Sequence, residues 1–209
     1  MKISNLTKKF GSKIIFDNFN FEFLENKITY IVGESGSGKT TLLRIIAGLD
    51  KDYQGNIEKS NNISYVFQEP RLFPSINVRE NISISSDTSR YSVDELLELL
   101  EIPKEAESAI ASLSGGMKMR VALARALYND GELFLMDEPF SALDEDLKSR
   151  ILPKIFKLLK GKTVIIVSHN IEEANIYADK ILNLNEISWV SQFTPLKNDP
   201  KIFLRSFSY

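Results

Sequence analysis

Cysteine is absent from the 209-residue chain, and histidine occurs once. Without a thiol the protein cannot form a disulfide scaffold, a thiolate zinc site or a cysteine nucleophile. The sequence also lacks an apolar run of about 18 residues, so it predicts no membrane-spanning helix. The opening stretch, MKISNLTKKF, lacks the apolar run of a signal peptide, and we therefore expect a cytoplasmic location. The formal net charge of −2 gives no broad basic field, so nucleic acid is not an expected partner.

Apolar runs with the composition of β-strands alternate with segments of helical periodicity along most of the chain. This alternation predicts a mainly parallel α/β sheet, because parallel strands are joined by crossover helices. Residues 14–24 alternate in a way that favours an antiparallel pair, and residues 180–190 have the pattern of a terminal hairpin. The predicted buried strands are 27–33, 62–68, 132–139 and 162–169, and the predicted helices are 40–49, 92–102, 116–130 and 144–160.

The segment between about residues 70 and 130 contains helical patterns and no convincing strand. We therefore predict one domain over residues 1–209, in which a helical subdomain at about 70–130 is inserted into an α/β core. The core consists of about 1–69 and 131–209 and includes the antiparallel β subdomain near the N-terminus. Ser92 and Glu95 have the spacing of a capping box, and Pro153 is a candidate position for a helix kink.

The stretch GESGSGKTT, residues 33–41, joins a predicted strand to a predicted helix. It matches the pattern G-x-x-x-x-G-K-[ST], whose glycines let successive backbone N–H groups turn towards an anion. The positive end of the following helix adds to this attraction. In this pattern Lys39 reaches the β- and γ-phosphates and the Thr40 hydroxyl ligates Mg²⁺. The predicted nucleotide contacts are Gly33, Glu34, Ser35, Gly36, Ser37, Gly38, Lys39, Thr40 and Thr41.

The alternative interpretation of this stretch is a flexible turn rich in glycine and serine. A chance match to the fixed positions in a chain of this length has a probability on the order of 1%. The strand before it and the helix after it lower that probability further. A phosphate loop by itself does not identify a function, because kinases, GTPases, helicases and transporter motors all contain one.

Two acidic residues, Asp137 and Glu138, follow the apolar residues of the predicted strand at 132–139. The carboxyl ends of parallel strands form the ligand crevice of such a sheet, and buried carboxylates there need a cation or a substrate as partner. Asp137 is suited to Mg²⁺ coordination, and Glu138 to activating a water for attack on a γ-phosphate. His169 ends another buried strand at the same edge, although a lone histidine is more often structural.

A second glycine-containing loop, LSGGM at 113–117, opens a predicted helix. Ser114 is a good N-cap and a glycine pair is common in loops, so this stretch alone favours a purely structural role. The order of all the motifs changes that interpretation, because it resembles the ATP-binding cassette family, specifically the ATPase subunit of a bacterial ABC transporter. The matching stretches are GESGSGKT (Walker A), VFQEP (Q-loop), LSGGM (signature), LFLMDEP (Walker B), SALD (D-loop) and SH (switch histidine).

The resemblance covers nearly the whole chain and implies a P-loop NTPase that binds ATP and Mg²⁺. It implies that Gln68 lies near the metal and the attacking water, and that Phe10 stacks on adenine, with Phe16 as the alternative aromatic. The residues with implied catalytic roles are Glu138, His169, Gln68 and Lys39. Those implied to hold the metal are Thr40, Gln68 and Asp137, and the further implied nucleotide contacts are Ser114, Gly115, Gly116 and Asp144.

The resemblance also implies the partners: a homodimer in the ATP-bound state, transmembrane permease subunits and, for an importer, a solute-binding protein. The subunit would then lie on the inner face of the cell membrane. The motifs are most similar to those of importers of the nitrate, sulfonate and taurine group. The alternatives are an exporter ATPase and a soluble cassette ATPase without a transporter. The chain has no room for the long coiled-coil insertions of the chromosome-type proteins, and translation-type members usually carry two cassettes.

Overall fold

The computed structural model describes residues 1–58, 60 and 62–185. Within them the chain forms two β-sheets and a set of helices between and around the strands. The strands are β1 (Lys2–Phe10), β2 (Lys13–Glu22), β3 (Ile28–Val32), β4 (Gln54–Ile57), β5 (Ile63–Val66), β6 (Leu133–Asp137), β7 (Thr163–Val167) and β8 (Lys180–Asn183). The α-helices are α1 (Lys39–Ile46), α2 (Val78–Ser83), α3 (Val93–Leu99), α4 (Gly115–Asn129), α5 (Glu145–Leu158) and α6 (Ile171–Tyr177).

The larger sheet has five strands in the order β5-β6-β7-β3-β8, and all of its neighbouring strands are parallel. Every residue of β6 is buried, as expected for a strand with helices on both faces of its sheet. The four predicted buried strands are therefore confirmed. Of the predicted terminal hairpin, the first arm is β8, which pairs in parallel with β3, and residues 186–190 lie outside the described part of the chain.

The smaller sheet is antiparallel, with the order β2-β1-β4, and it confirms the predicted antiparallel pair. Helix α1 lies between the two sheets, because its buried face belongs to a hydrophobic cluster that contains residues of both. Phe16 and Phe19 of β2 and Leu135 of β6 pack in this cluster with Leu42 and Ile46 of α1. The phosphate loop before α1 is therefore held between two layers of the fold.

The chain between β5 and β6 is helical, as predicted, and contains α2, α3 and α4. Ser92 and Glu95 form the predicted capping box, with the Ser92 Oγ accepting from the Glu95 N–H at 3.1 Å. Asn77 and Glu80 form a second capping box at α2. The sequence patterns did not predict α2 or α6, which have only six and seven residues. Helix α5 continues through Pro153 to Leu158. None of the helices in the described residues is both long and apolar enough to cross a bilayer.

Candidate nucleotide-binding site

A cleft of about 520 Å³ opens at the carboxyl ends of β3, β6 and β7. Most of the residues that the sequence predicts at a nucleotide site lie around this one cleft. They are Phe10, Gly33, Ser35, Gly36, Gly38, Lys39, Thr40, Thr41, Gln68, Asp137, Glu138 and His169. The predicted contacts Glu34 and Ser37 do not line it, and instead face a groove on the other side of the same loop.

The phosphate loop depends on glycine at Gly38. This residue has a φ of +101°, a left-handed conformation that is costly for residues with a side chain. A β-carbon built there would lie 2.7 Å from Cγ2 of Ile15 and 2.9 Å from Cζ of Phe16. Gly38 is also the N-cap of α1 and provides no side-chain cap. The first N–H groups of α1 therefore point into the cleft without a side-chain acceptor, as an anion site requires.

Lys39 lies across the mouth of the loop. Its ammonium donates hydrogen bonds to the carbonyl oxygens of Gly33 and Glu34, both at 2.7 Å. The side chain is thereby extended over the space that the loop encloses, and its charge is next to the helix N-terminus. Two cationic contributions, the ammonium and the helix end, thus converge on one point of the cleft.

Thr40 and Asp137 lie next to each other behind the loop. The Thr40 hydroxyl donates to Oδ1 of Asp137 at 3.1 Å, and Asp137 is 3% exposed. Burial raises the pKa of Asp137, although the hydrogen bond from Thr40 lowers it. A buried carboxylate beside a hydroxyl is a donor set that suits Mg²⁺, which takes only a few protein ligands and completes its shell with phosphate and water. The residues present therefore fit the metal that the motif implies, and Gln68 lines the same cleft.

Glu138 and His169 form a pair at the open end of the cleft. Nδ1 of His169 lies 2.9 Å from Oε2 of Glu138, and the His169 side chain is 71% exposed. Glu138 has a φ of +51°, and its N–H donates to the carbonyl of Val167 at 2.9 Å. Glu138 is thus attached through its backbone to the last residue of β7 and through its side chain to His169. The only histidine of the chain is thus at the cleft and not in the core.

The signature and the D-loop do not reach the cleft of their own chain. Ser114 caps α4 and accepts from the Met117 N–H at 3.3 Å, and Asp144 caps α5 and accepts from the Leu147 N–H at 2.9 Å. A β-carbon on Gly116 would lie 3.1 Å from the carbonyl of Ala142. The predicted contacts Ser114, Gly115, Gly116 and Asp144 therefore form a separate cluster.

The two aromatic candidates for base stacking differ sharply in exposure. Phe10 lines the cleft and is 52% exposed, whereas Phe16 is 0% exposed in the core beneath the phosphate loop. Phe16 packs in the same hydrophobic cluster as the buried face of α1. A fully buried ring has no face to offer a base, so the alternative assignment to Phe16 is wrong. Phe10 remains the predicted stacking residue, and it lines the cleft.

Sequence reasoning missed other residues around the phosphate loop. Lys13, Ile15 and Val167 also line the cleft. Lys13 pairs with Phe10 across the β1–β2 turn, and the short Gly-Ser connection between those two residues was the available signal. Asn185 was missed as well: its Oδ1 accepts from the Glu34 N–H at 3.0 Å. No local pattern links residues so far apart in the chain.

The fold and the cleft together define a P-loop nucleotide-binding protein. A family model described as ABC transporter matches residues 16–141. This match covers more than half of the chain, and the chain therefore belongs to the ABC transporter ATP-binding family. The family assignment agrees with the resemblance that the order of the sequence motifs implies.

Several curated relatives are named as ATP-binding proteins of importers. The chain is 37% identical over 180 residues to an aliphatic sulfonates import ATP-binding protein, SsuB 2, of Pseudomonas syringae pathovar tomato, with 84% of this chain and 78% of the relative covered. It is 35% identical over 193 residues to SsuB of Corynebacterium glutamicum, with 88% and 79% covered. An Fe(3+) ions import ATP-binding protein of Haemophilus influenzae is 35% identical over 205 residues, with 87% and 58% covered.

Solved structures of ATP-binding cassettes have the same fold. One is the dimeric post-hydrolysis state of a cassette bound to ADP and Pi, with 30% identity, a TM-score of 0.74 and coverage of 87% of this chain and 93% of the other. A second is a dimeric bacterial ABC transporter cassette with 31% identity, a TM-score of 0.74 and coverage of 88% and 94%.

Proposed function

We propose that this chain binds and hydrolyses Mg-ATP and thereby drives solute import through a separate membrane permease. The observation that carries the proposal is the composition of one cleft. It combines a phosphate loop with Lys39, a buried Thr40–Asp137 contact and the Glu138–His169 pair. Each of these three features serves a different part of phosphoryl transfer to water.

The roles of the residues follow from their positions. The loop amides and Lys39 bind the phosphates, and Phe10 stacks on the base. Thr40, Asp137 and Gln68 would hold Mg²⁺, which when bound neutralises charge on the phosphates. Glu138 accepts a proton from the attacking water. His169 holds Glu138 in place through the hydrogen bond at its Nδ1.

The test of this activity is ATP hydrolysis by the purified chain, followed by phosphate release. Lys39→Ala removes the ammonium that bridges the loop carbonyls and should abolish both nucleotide binding and hydrolysis. Lys9→Ala is a matched control, because Lys9 is exposed and does not line the cleft. Phosphate release that is equal in the wild type and in Lys39→Ala would contradict the proposal.

The separate cluster of Ser114–Gly116 and Asp144 supports a head-to-tail dimer. Both loops are suited to anions, but one chain keeps them apart, so a second copy would bring its signature to the cleft of the first. An isologous interface then contains two such composite sites. The dimeric state of the two similar cassettes supports this arrangement.

Mixing two inactive variants tests the composite site. Lys39→Ala damages the phosphate loop, and Ser114→Arg damages the signature loop. Every site uses one loop of each kind, so each homodimer has two defective sites. A mixed dimer has one intact site and one doubly damaged site. We expect mixing to restore ATP-dependent dimerisation, measured by size-exclusion chromatography. If subunit exchange is confirmed and nothing is restored, each site is complete within a single chain.

The permease contact is proposed at residues 68–75, between β5 and α2. Phe73 is 49% exposed, while the Asn81 side chain holds its backbone by accepting from the Phe73 N–H at 2.8 Å and donating to its carbonyl at 3.0 Å. This segment links Gln68 at the cleft to helices 70–130, which we propose to move as a subdomain against the remaining core.

A charged substitution tests this contact. Phe73→Asp should leave ATP binding by the isolated subunit unchanged and uncouple hydrolysis from transport in reconstituted vesicles. Phe73 is better suited than Leu72, which packs partly against the hydrophobic core. Normal transport by Phe73→Asp would place the docking surface elsewhere.

Import is proposed from the relatives, whose names state import of aliphatic sulfonates or Fe(3+) ions. An importer of this type implies a permease, a solute-binding protein and a position on the inner face of the membrane. Vesicles that contain the chain with its permease should accumulate solute only when the solute-binding protein is present on the opposite side from ATP. Outward movement in the same assay would favour an exporter.

A further inference from the structure

Lys8 is a buried lysine near the end of β1, two residues before Phe10. The side chain is 2% exposed, and its Nζ donates to Oδ1 of Asp50 at 3.0 Å and to Oδ2 and the carbonyl oxygen of Asp52 at 3.3 and 2.6 Å. Burial lowers the pKa of Lys8, but the hydrogen bonds to the two carboxylates more than offset this, and the pKa lies above its ordinary value. A buried ammonium is tolerated only when it is paired in this way.

The same ammonium lies over the ring of Phe10. The β1–β2 register shifts between Lys8 and Lys9, and here the Lys8 Nζ is 4.7 Å from the centroid of the Phe10 ring. A cation at this distance over an aromatic face is attracted by the ring. One face of Phe10 is therefore occupied by Lys8. The residue is still 52% exposed and lines the nucleotide cleft, so the other face is available to a ligand.

The carboxylates that hold Lys8 belong to the segment directly after α1. The N–H groups of Leu49 and Asp50 donate to the carbonyl of Arg44 at 2.8 and 3.1 Å, which fixes this segment to the end of that helix. Helix α1 begins at the phosphate loop. A continuous series of contacts thus runs from Phe10 through Lys8 and Asp50 to the helix that presents the phosphate site.

From these contacts we infer that Lys8 is a positioning residue for the nucleotide base. It fixes the stacking face of Phe10 at a set distance from the phosphate loop, so that base and phosphates bind at the same time. The inference rests on the proposed binding of ATP in this cleft. It adds a residue that touches neither the base nor the phosphates.

The first test is a double-mutant cycle measured by ATP titration calorimetry on the full chain. Lys8→Met keeps most of the aliphatic stem and removes the charge. We expect it to weaken ATP binding by about 3- to 30-fold. The cation–π contact is present with and without ATP, so its strength sets only the upper limit of this loss. Phe10→Ala should weaken binding at least as much, and the double variant should bind like Phe10→Ala alone. Additive losses would contradict the inference, because Lys8 would then act without Phe10.

The second test separates positioning from general damage. Inorganic tripolyphosphate with Mg²⁺ occupies the phosphate loop but has no base, so Lys8→Met should bind it within about twofold of the wild type. Equal losses for ATP and tripolyphosphate would show a merely structural role. In hydrolysis assays the same variant should raise KM and leave kcat nearly unchanged. Lys9→Met is the matched control, since Lys9 is the exposed neighbour on the same strand, and should change neither affinity.

A milder variant covers the case in which Lys8→Met does not fold. Asp52→Asn alters an exposed partner and keeps its carbonyl contact, so it should fold and weaken ATP binding by a smaller factor, again with no effect on tripolyphosphate. The inference is overturned if Lys8→Met binds ATP as tightly as the wild type. If only Asp52→Asn folds, wild-type affinity in that variant has the same meaning. If the wild type itself fails to bind ATP, the proposed function fails, and that result is distinguishable from failure of the Lys8 assignment alone.

Discussion

Replacing Glu138 with glutamine separates nucleotide binding from chemistry at this site. The amide has the size of the carboxylate, and its oxygen can still accept a hydrogen bond from the His169 ring, whose Nδ1 lies 2.9 Å from Oε2 of Glu138. The backbone at this position, with a φ of +51°, is about equally accessible to either residue. What Glu138→Gln removes is the ability to take a proton from water.

The size of the effect follows from that single loss. Removal of a general base typically lowers a rate by about 10²- to 10⁴-fold, or about 3–5 kcal/mol in activation free energy. ATP binding should stay within about threefold of the wild type, because the loop amides and Lys39, which we propose make most of the phosphate contacts, are unchanged. The free energy of unfolding should change by about 1 kcal/mol or less.

Single-turnover hydrolysis and calorimetric binding, measured on the same preparation, check both parts. With hydrolysis blocked, the ATP-bound dimer should accumulate and be visible by size-exclusion chromatography. Glu172→Gln is the control, because Glu172 is exposed in the first turn of α6 and does not line the cleft. Turnover of Glu138→Gln within tenfold of the wild type would remove Glu138 from the role of base and refute the reasoning.

Phe10→Ala should weaken ATP binding by about 1–3 kcal/mol, whereas Phe10→Tyr should leave the affinity nearly unchanged. GTP should bind within about tenfold of ATP, because stacking does not distinguish the edges of the bases. Titration calorimetry measures all three affinities. Gly38→Ala should lower the free energy of unfolding in urea by about 2–4 kcal/mol, because φ is +101° and the added methyl group would collide with β2. Gly48→Ala should lower it by only about 1 kcal/mol, because φ is +70° and the space around Gly48 is open. Burial raises the pKa of Glu173 despite the hydrogen bond from Tyr30, so its contribution to stability is present at low pH and is lost as the pH rises through the folded-state pKa. Glu173→Gln should therefore raise Tm more at pH 8 than at pH 5, and an equal change at both values would contradict this.

The sequence predicted the parts of the fold that have strong local patterns. The buried strands that became β3, β5, β6 and β7 are apolar runs with clear ends, and α4 and α5 are long enough to show helical periodicity. The short helix α2 was missed, because a helix of six residues contains too few turns for a periodic pattern. The spacing of Asn77 and Glu80, which form a capping box, could have predicted where this helix begins.

Edge strands were harder to predict than central ones. Strand β4 has three exposed residues among its four, so it lacks the apolar composition by which a strand is recognised. Its place in the sheet depends on pairing with β1, which no local window contains. Strand β8, predicted as one arm of a hairpin, pairs in parallel with β3. This pairing was not predictable for the same reason, because β3 is far away in the sequence.

The candidate site was predictable where chemistry requires particular residue types in consecutive order. The phosphate loop is such a case, and the cleft contains seven of its nine residues, all except Glu34 and Ser37. Contacts that arise only from folding were not predictable. Lys8 is an example, since its partners Asp50 and Asp52 follow a different element and nothing in the stretch LTKKFG distinguishes the buried lysine from the exposed Lys9.

In the proposed dimer, the separation of the phosphate loop and the signature loop within one chain explains why the family motifs are spread over the chain. Gly33–Thr40 is fixed between the two sheets by the packing of α1, while Ser114 opens a helix in the segment between β5 and β6. We propose that the phosphate loop stays fixed with the core, whereas the signature loop approaches or leaves with the helical segment. If the phosphate contacts are divided between these two loops as we propose, nucleotide occupancy would decide the distance between the two copies. A β-carbon on Gly116 would lie 3.1 Å from the carbonyl oxygen of Ala142, so the D-loop lies next to the signature loop.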